Sequence, residues 1–480
     1  MRPSPRPVSA LRPRDKVLYG VADFGVNLVG IVGNTWLLYY FVNVAGLPAL
    51  LAGLAFLAGR LFDALVDPAI GAWSDRVAPA RGRLRYTRRF APLAGGLFAL
   101  LWLVPSLPEG LRFGLACLGF MVLSALYSLA TIPYLALGPE LTPDYDERTG
   151  LNAVRLGFSM AATLVGVALP PLIVLGVTGA TDLAASAPGG WLVVGVLSAV
   201  LVTGAFLVTG FGVREPARRP AAPRHALTLR AVREVLGTFG FAPLLGLFLT
   251  TTLGFTVTNS LLPFFIESVL RLPAAAQSPI LGGLFLVAIL TFPLWVAVSN
   301  RVGKRAGVML GILLIALALL LYVYGAPRGE VSAVLALALV LNGAGISAVA
   351  LFPWAMLPDV IEFDEVRSGV RREGLFYALL LTLLKAAGAL AVFSNALVTS
   401  LLGYVAGQAR QSPETVLGLS VMMGPVAALL FACGLVFAWR FPITRENHAE
   451  VRARLASAHA RDRAPADATP PPAAPQLGEA

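Results

Sequence analysis

The segment GRLFDALVDPAIGAWSDR, Gly59 to Arg76, has the apolar make-up of a membrane-buried helix, yet it carries Arg60, Asp63 and Asp67 in its middle. Wound as a helix, Asp63 and Asp67 stand at i and i+4, with Arg60 three residues before the first, so all three share one face. A charge at the bilayer centre costs about 2.5–3.5 kcal/mol or more, so charged side chains inside spans face the protein interior or a water-filled cavity. Three on one stripe mark a cavity face.

The surrounding chain supplies the membrane. Of its 480 residues, 57% are hydrophobic and 13% charged, against roughly a quarter charged in soluble domains. Apolar runs of about 20 residues, each long enough for a hydrocarbon core of about 30 Å, recur at 17–44, 48–74, 88–108, 112–138, 150–178, 189–213, 239–270, 278–300, 304–325, 331–358, 373–402 and 415–440. Several exceed a straight crossing, which implies tilt or extensions beyond the bilayer. The Arg- and Pro-rich first 16 residues precede a full-length span with no small-residue cleavage site between. An uncleaved first helix is expected.

The net charge of +11 is distributed by topology. Basic residues crowd the N-terminus (Arg2, Arg6, Arg12, Arg14, Lys16) and the loops after spans 2 (Arg76 to Arg89), 6 (Arg214 to Arg233) and 8 (Arg301, Lys304, Arg305). The intervening loops hold little beyond Arg112, Arg271, Arg328 and Arg410. This alternation is the positive-inside pattern and places both termini in the cytoplasm; it is no nucleic-acid footprint. Cys117 and Cys433 both fall in spans, which supports neither a disulfide framework nor a cysteine metal site. His225, His448 and His459 lie in loops or tail, which speaks against a histidine proton relay. From about Glu446 the Ala/Pro-rich tail is expected to be disordered. Richness in Ala, Arg and Pro suggests a GC-rich bacterial source, hence an inner-membrane location.

The chain repeats itself. DYDERTG (Asp144–Gly150) after span 4 matches EFDEVRSG (Glu362–Gly369) after span 10 with one inserted residue, and Pro139-Glu140 and Pro358-Asp359 precede them. The expected organisation is an N-terminal segment 1–16, a six-helix bundle 17–213, a basic central loop 214–238, a second bundle 239–440 and a tail 441–480. Duplicated architectures of this kind hold solute near the midplane between the halves and work by alternating access. The duplicated loop groups, Asp144, Asp146, Glu147 and Arg148 with Asp364, Glu365, Arg367, Arg371 and Arg372, are read as gate ion pairs that close the cytoplasmic side in one state. Twelve spans, a six-plus-six repeat and a basic loop between spans 2 and 3 resemble the major facilitator superfamily. The implied fold class is an all-α membrane protein of twelve transmembrane helices in two pseudo-symmetric bundles.

Two carboxylates one turn apart repel, and a shared proton or a bound cation relieves the repulsion. Asp63 and Asp67 are therefore the candidate site for Na⁺ or H⁺, with Tyr127, Ser128 and Thr131 of span 4 as further oxygen donors. Arg60 and Lys385, the latter deep in span 11 of a chain with only three lysines, are expected to balance them. The alternative is a static network of Arg60, Asp63 and Asp67 that locks helices together. Candidate solute contacts are Asp23, Asn27 and Asn34 on one face of span 1, Thr131, Arg155, and Thr256 and Asn259 in span 7. Serine and threonine also serve as helix–helix glue, and Arg155 alternatively as a gate residue.

These segments, together with YGVADFG in span 1, LLYYFVNVAGL at its end, SALYSLATIPYLALGPELT in span 4 and LPDVIEFDEVRSGVRREGLFYA before LLK in span 11, resemble the melibiose-permease-like glycoside-pentoside-hexuronide:cation symporter family. The resemblance implies cation-coupled symport of a sugar or glycoside by alternating access, with Asp63 and Asp67 as cation-site carboxylates, Tyr127 and Ser128 beside them, Lys385 as the family's span-11 lysine, and Arg155 as a sugar-contacting arginine. Departures qualify it. Val66 replaces an asparagine before the second aspartate, which favours H⁺ over Na⁺; the family's sugar-binding aspartates fall on Asn27 and Thr131, and its tryptophan on Leu135. The thinned site leaves a lysophospholipid or other amphiphile as the alternative cargo, and a non-transporting receptor as a weaker one that Asp63, Asp67 and Lys385 speak against. No enzyme is indicated: neither a nucleotide loop, a metal-ligand cluster nor a nucleophile with its base is present, and no cofactor beyond the coupling ion is expected. The expected partners are a small solute and membrane lipids, without nucleic acid, for a monomer.

Overall fold

The computed structural model describes residues 11–463 except 104–107, 143–144, 184–185, 216–228, 370–371, 406–407 and 409. All regular structure among the described residues is helical. The first half comprises α1 (Pro13–Asn43), α2 (Ala49–Arg81), α3 (Leu84–Leu100), α4 (Glu109–Leu141), α5 (Tyr145–Thr178) and α6 (Pro188–Gly212). A short α7 (Leu229–Leu236) leads into the second half: α8 (Phe241–Val269), α9 (Ala274–Ser299), α10 (Arg301–Gly325), α11 (Ala333–Ser368), α12 (Glu373–Leu401) and α13 (Pro413–Arg440). Eleven of these are long and apolar enough to cross a membrane. The twelfth expected crossing, α3, has 17 residues, at the short end of the spanning range of about 17–25. At the start of α10 the chain turns at Gly303, whose φ of 81° and ψ of 165° suit glycine alone.

Three sequence expectations change. The repeats read as loops are helix: α5 begins at Tyr145, and α11 runs through Glu362, Asp364, Glu365 and Arg367 to Ser368. Their Glu and Arg residues are good helix formers, and Gly369, at φ 70°, ends α11 with its N–H on the Glu365 carbonyl. At 36 residues α11 is about 54 Å long, well beyond a hydrocarbon core. The first part of the tail expected to be disordered is helical as α14 (Arg445–Arg463); residues 464–480 lie outside the described residues. Thr444 and Asn447 cap it reciprocally, the Thr444 N–H on Asn447 Oδ1 at 2.8 Å and the Asn447 N–H on Thr444 Oγ1 at 3.3 Å. His448 then docks it on α11, 2.9 Å from Glu362.

Within the first half, α1 lies against α5 and α6, α2 against α4, and α3 against α4 and α6. In the second, α9 and α10 pack on α11, and α8 on α12 and α13. The halves meet through α2 with α12 and α5 with α9. Glycine sets how closely: a Cβ on Gly53 of α2 would lie 2.3 Å from the Ala396 Cβ of α12. At the end away from the termini, the first half closes over buried Trp36, Tyr40, Trp102 and Trp191. The Trp102 and Trp191 rings stack 5.8 Å apart, the Tyr40 hydroxyl donates to the Trp102 carbonyl at 2.6 Å, and Trp36 Nε1 donates to the Gly166 carbonyl at 3.1 Å.

Candidate coupling and solute site

Asp63 and Asp67 project from α2 one turn apart toward Ser128 of α4 and Lys385 of α12. Ser128 Oγ lies 3.1 Å from Asp63 Oδ1 and 2.5 Å from Asp67 Oδ1. On the other side Lys385 Nζ donates to Asp63 Oδ2 at 2.9 Å and to Asp67 Oδ2. One ammonium thus bridges two carboxylates, each of which also meets one hydroxyl, and the ion pairs join the two halves of the molecule. With all three groups ionised, two carboxylates and one ammonium leave the cluster one negative charge in excess. The Asp63 side chain is 7% exposed, that of Asp67 23% and that of Lys385 35%, so the cluster is closed at Asp63 and more open at Asp67 and Lys385.

Arg60 is not part of it. Its Nη2 donates to Asn34 Oδ1 of α1 at 3.3 Å, and no ion pair links it to either aspartate among the described residues. Sharing a helix face with Asp63 did not decide its partner, because the facing helix did. Tyr127 donates to the Val26 carbonyl at 2.6 Å and ties α4 to α1. Thr131 is buried one turn beyond Ser128, without a hydrogen bond to either aspartate. The expected oxygen donors therefore reduce to Ser128 and the carboxylates themselves.

A second polar cluster lies between α1 and α5. Arg155 Nε donates to Asp23 Oδ2 at 2.5 Å and Nη2 to Asp23 Oδ1 at 3.2 Å, a two-pronged pair. The guanidinium sits 5.9 Å from the Tyr19 ring and 5.7 Å from the Tyr134 ring. Tyr19 and Tyr134 were missed from sequence, although Tyr19 stands one turn before Asp23 on the same face. The cluster offers what a polyol needs: acceptor oxygens, guanidinium donors and aromatic faces. Asn27 donates to the Asp23 carbonyl of its own helix at 2.9 Å, and Thr256 is half-buried on α8. Replacing Arg155 by Met should strand the Asp23 carboxylate, whose side chain is 7% exposed, and cost about 3 kcal/mol. The double variant Asp23→Asn/Arg155→Met should recover most of that loss, as read from the unfolding midpoints of the purified proteins.

Asn259 is not a free solute ligand; its Nδ2 donates to Thr35 Oγ1 of α1 at 2.7 Å, across the halves. It belongs to a seam that the sequence reading missed. Tyr39 donates to Glu267 Oε2, and Tyr404 to Asn43 Oδ1 at 2.9 Å. The Phe264 ring lies between, 5.2 Å from Tyr39 and 5.4 Å from Tyr404. Glu267, an acid near the end of an apolar span, carried the same signal as Asp63 and could have been singled out by it. All these contacts lie at the end away from the termini, so that end is closed.

At the terminal end the described ion pairs stay within one half. Lys16 pairs with Glu147 at 3.0 Å, and Arg83 with Glu140 at 2.7 Å. In the second half Arg372 bridges Asp364 at 2.7 Å and Glu234 at 2.8 Å, and hydrogen bonding to Asp364 raises its pKa further. Lys304 meets Asp359 at 2.7 Å. Arg367 donates to the Gly237 carbonyl at 3.3 Å. Of the expected gate groups, Asp144 and Arg371 lie outside the described residues, as do the side chains of Asp146 and Arg148. The described gate pairs do not bridge the halves in this conformation.

The model of a family described as MFS/sugar transport protein matches residues 18–445. An uncharacterized symporter of Synechocystis is 28% identical over 92% of this chain and 96% of its own length. The glucuronide carrier protein homolog of Escherichia coli is 28% identical over 91% and 94%, and the mouse sodium-dependent lysophosphatidylcholine symporter 1 is 26% identical over 95% and 90%. Among solved structures, a bacterial homologue of the lysosomal transporter Spinster superposes with a TM-score of 0.64 at 14% identity, covering 92% of this chain and 96% of that one. The likeness shows the same twelve-helix major facilitator fold.

Proposed function

The chain belongs to the MFS/sugar transport protein family, and from that premise we propose that it carries a glycoside-type solute together with H⁺, by alternating access between its two halves. One observation supports coupling above all: Lys385, Asp63 and Asp67 form a cross-half cluster with one negative charge too many. Shutting such a cluster away from water is costly. One added cation makes it neutral, so occupancy and occlusion favour each other, which is the thermodynamic content of coupling. A proton fits better than Na⁺, because Val66 supplies no oxygen and Lys385 already fills one side of the carboxylate pair. With both termini cytoplasmic, the closed seam faces outward and the Asp67 side of the cluster is open to the cytoplasm. We assign the Asp23–Arg155 cluster, between the Tyr19 and Tyr134 rings, to the solute hydroxyls, and the duplicated acids and arginines of α5 and α11 to the cytoplasmic gate in the opposite state. A bacterial inner membrane, a monomer and cytoplasmic termini complete the proposal.

A second reading rests on Leu135, 38% exposed on the same face of α4 as Thr131, where a sugar carrier gains from an aromatic face. An apolar wall there suits an amphiphile, and a lysophosphatidylcholine symporter is among the relatives. Thermal unfolding of the purified protein, scanned against glycosides, hexuronates and lysophospholipids at two pH values with and without Na⁺, separates the readings. A ligand at about 100 Kd adds roughly 2.7 kcal/mol. A glycoside shift that grows at lower pH and ignores Na⁺ is expected. A shift with lysophospholipids alone would replace the first reading by the second.

A further inference from the structure

The outer face of the first half carries a cavity of ≈ 300 Å³ that the transport mechanism does not use. It exists because α3 stops at Leu100 while its neighbours run on. Its described walls are the end of α1 at Phe41, the end of α3 with the residues just after it (Leu97 to Leu103), and the first turns of α4 from Arg112 to Val122. Gly119 of α4, in its wall, lets the Leu101 side chain close in: a Cβ there would lie 2.6 Å from it. Leu100, Leu103 and Leu118 on its rim are 57%, 53% and 59% exposed. On a transmembrane bundle, the surroundings of such leucines are acyl chains.

One wall is not apolar. Arg112, in the first turn of α4, donates through Nη1 to the Ala45 carbonyl. Its Nε is buried without a hydrogen-bond partner, and no carboxylate pairs with it among the described residues. Glu109, one turn earlier, is exposed and forms no ion pair with it there. A guanidinium held at the head of an apolar cleft and paired with no carboxylate among the described residues matches a phosphate oxygen at the headgroup boundary, and an always-charged, forked donor suits phosphate in particular.

We propose that this cleft binds an anionic glycerophospholipid of the leaflet at the end away from the termini, with one acyl chain among Leu97, Leu101 and Leu118 and the phosphate on Arg112. The occupant follows from place and charge: the cleft opens to the membrane, and its single polar group is cationic. The proposal is independent of the identity of the transported solute.

Native mass spectrometry of the full chain in detergent, titrated with phosphatidylglycerol or phosphatidylcholine of identical chains, tests it. Both lipids offer a phosphodiester, but the choline ammonium of phosphatidylcholine offsets its charge beside the Arg112 guanidinium, so one phosphatidylglycerol should be retained at about a tenth of the concentration that phosphatidylcholine requires. Arg112→Gln should erase that preference and Arg112→Lys keep part of it. Because Arg112 also holds the Ala45 carbonyl, a variant that leaves it intact is included: Val122→Trp fills the cleft from a position already 42% exposed and should weaken retention of both lipids. Equal retention of the two lipids by the unaltered chain overturns the proposal, as does a phosphatidylglycerol preference that survives both Arg112→Gln and Val122→Trp.

Discussion

Asp67→Asn is expected to abolish gradient-driven accumulation while the protein folds and still exchanges solute down its gradient. The substitution leaves Asp63 and Lys385 as a neutral pair at 2.9 Å, so occlusion no longer needs a cation. Asp67 is the carboxylate to change, because its side chain is 23% exposed against 7% for Asp63, and an amide there is the smaller perturbation. The expected loss follows from the driving force. Moving one charge through 100 mV is worth about 2.3 kcal/mol, or roughly a 50-fold concentration ratio at about 1.4 kcal/mol per factor of ten. Uncoupling should bring that ratio to one. Active uptake and equilibrium exchange in the same vesicles give the answer, and concentrative uptake that survives the substitution sinks the assignment of Asp67.

Gly53→Trp should have the second largest effect. The α2–α12 contact at Gly53 and Ala396 is so close that even a methyl group would lie 2.3 Å from its neighbour. An indole must push the helices apart at the end sealed by the Tyr39–Glu267 and Asn43–Tyr404 contacts. Overpacking of this kind costs about 1–3 kcal/mol, which shifts the ratio of closed to open forms by roughly 5- to 150-fold. A cysteine at Thr399, buried on α12 one turn beyond Ala396, reports the change once Cys117 and Cys433 are replaced by serine. Labelling by an impermeant maleimide should rise and active uptake collapse. Unchanged labelling together with normal uptake would show that this packing does not hold that end shut.

Much of the fold and part of the site are legible in the sequence. Apolar runs have to bury their backbone polar groups in helices, so the spans followed from length and composition, and α3 was misjudged only in extent. Asp63, Asp67 and Lys385 stood out because charge inside apolar sequence is expensive and is kept for a reason. Partners across helices were not readable: Arg60 shares the face of Asp63 but meets Asn34, since i, i+3 spacing fixes a direction and says nothing of the neighbouring helix. Asn259 looked like a solute ligand and is a seam residue for the same reason. The Asp144 and Glu362 repeats read as loops because their polarity marks the membrane boundary, and a helix can continue past that boundary. The start of the tail, up to Arg463, misled differently, as its composition concealed the Thr444–Asn447 cap.

Ion flux driven by the solute tests the central claim most directly. Proteoliposomes holding the purified protein and an internal pH dye, with no imposed gradient, are given a solute that raises the unfolding midpoint. One proton should enter with each solute molecule, the flux should be indifferent to Na⁺, and Asp67→Asn should silence it while solute still equilibrates. Solute entry without proton or Na⁺ movement in the unaltered protein would contradict the account, and the Asp63–Asp67–Lys385 cluster would then be a structural tie between the two halves.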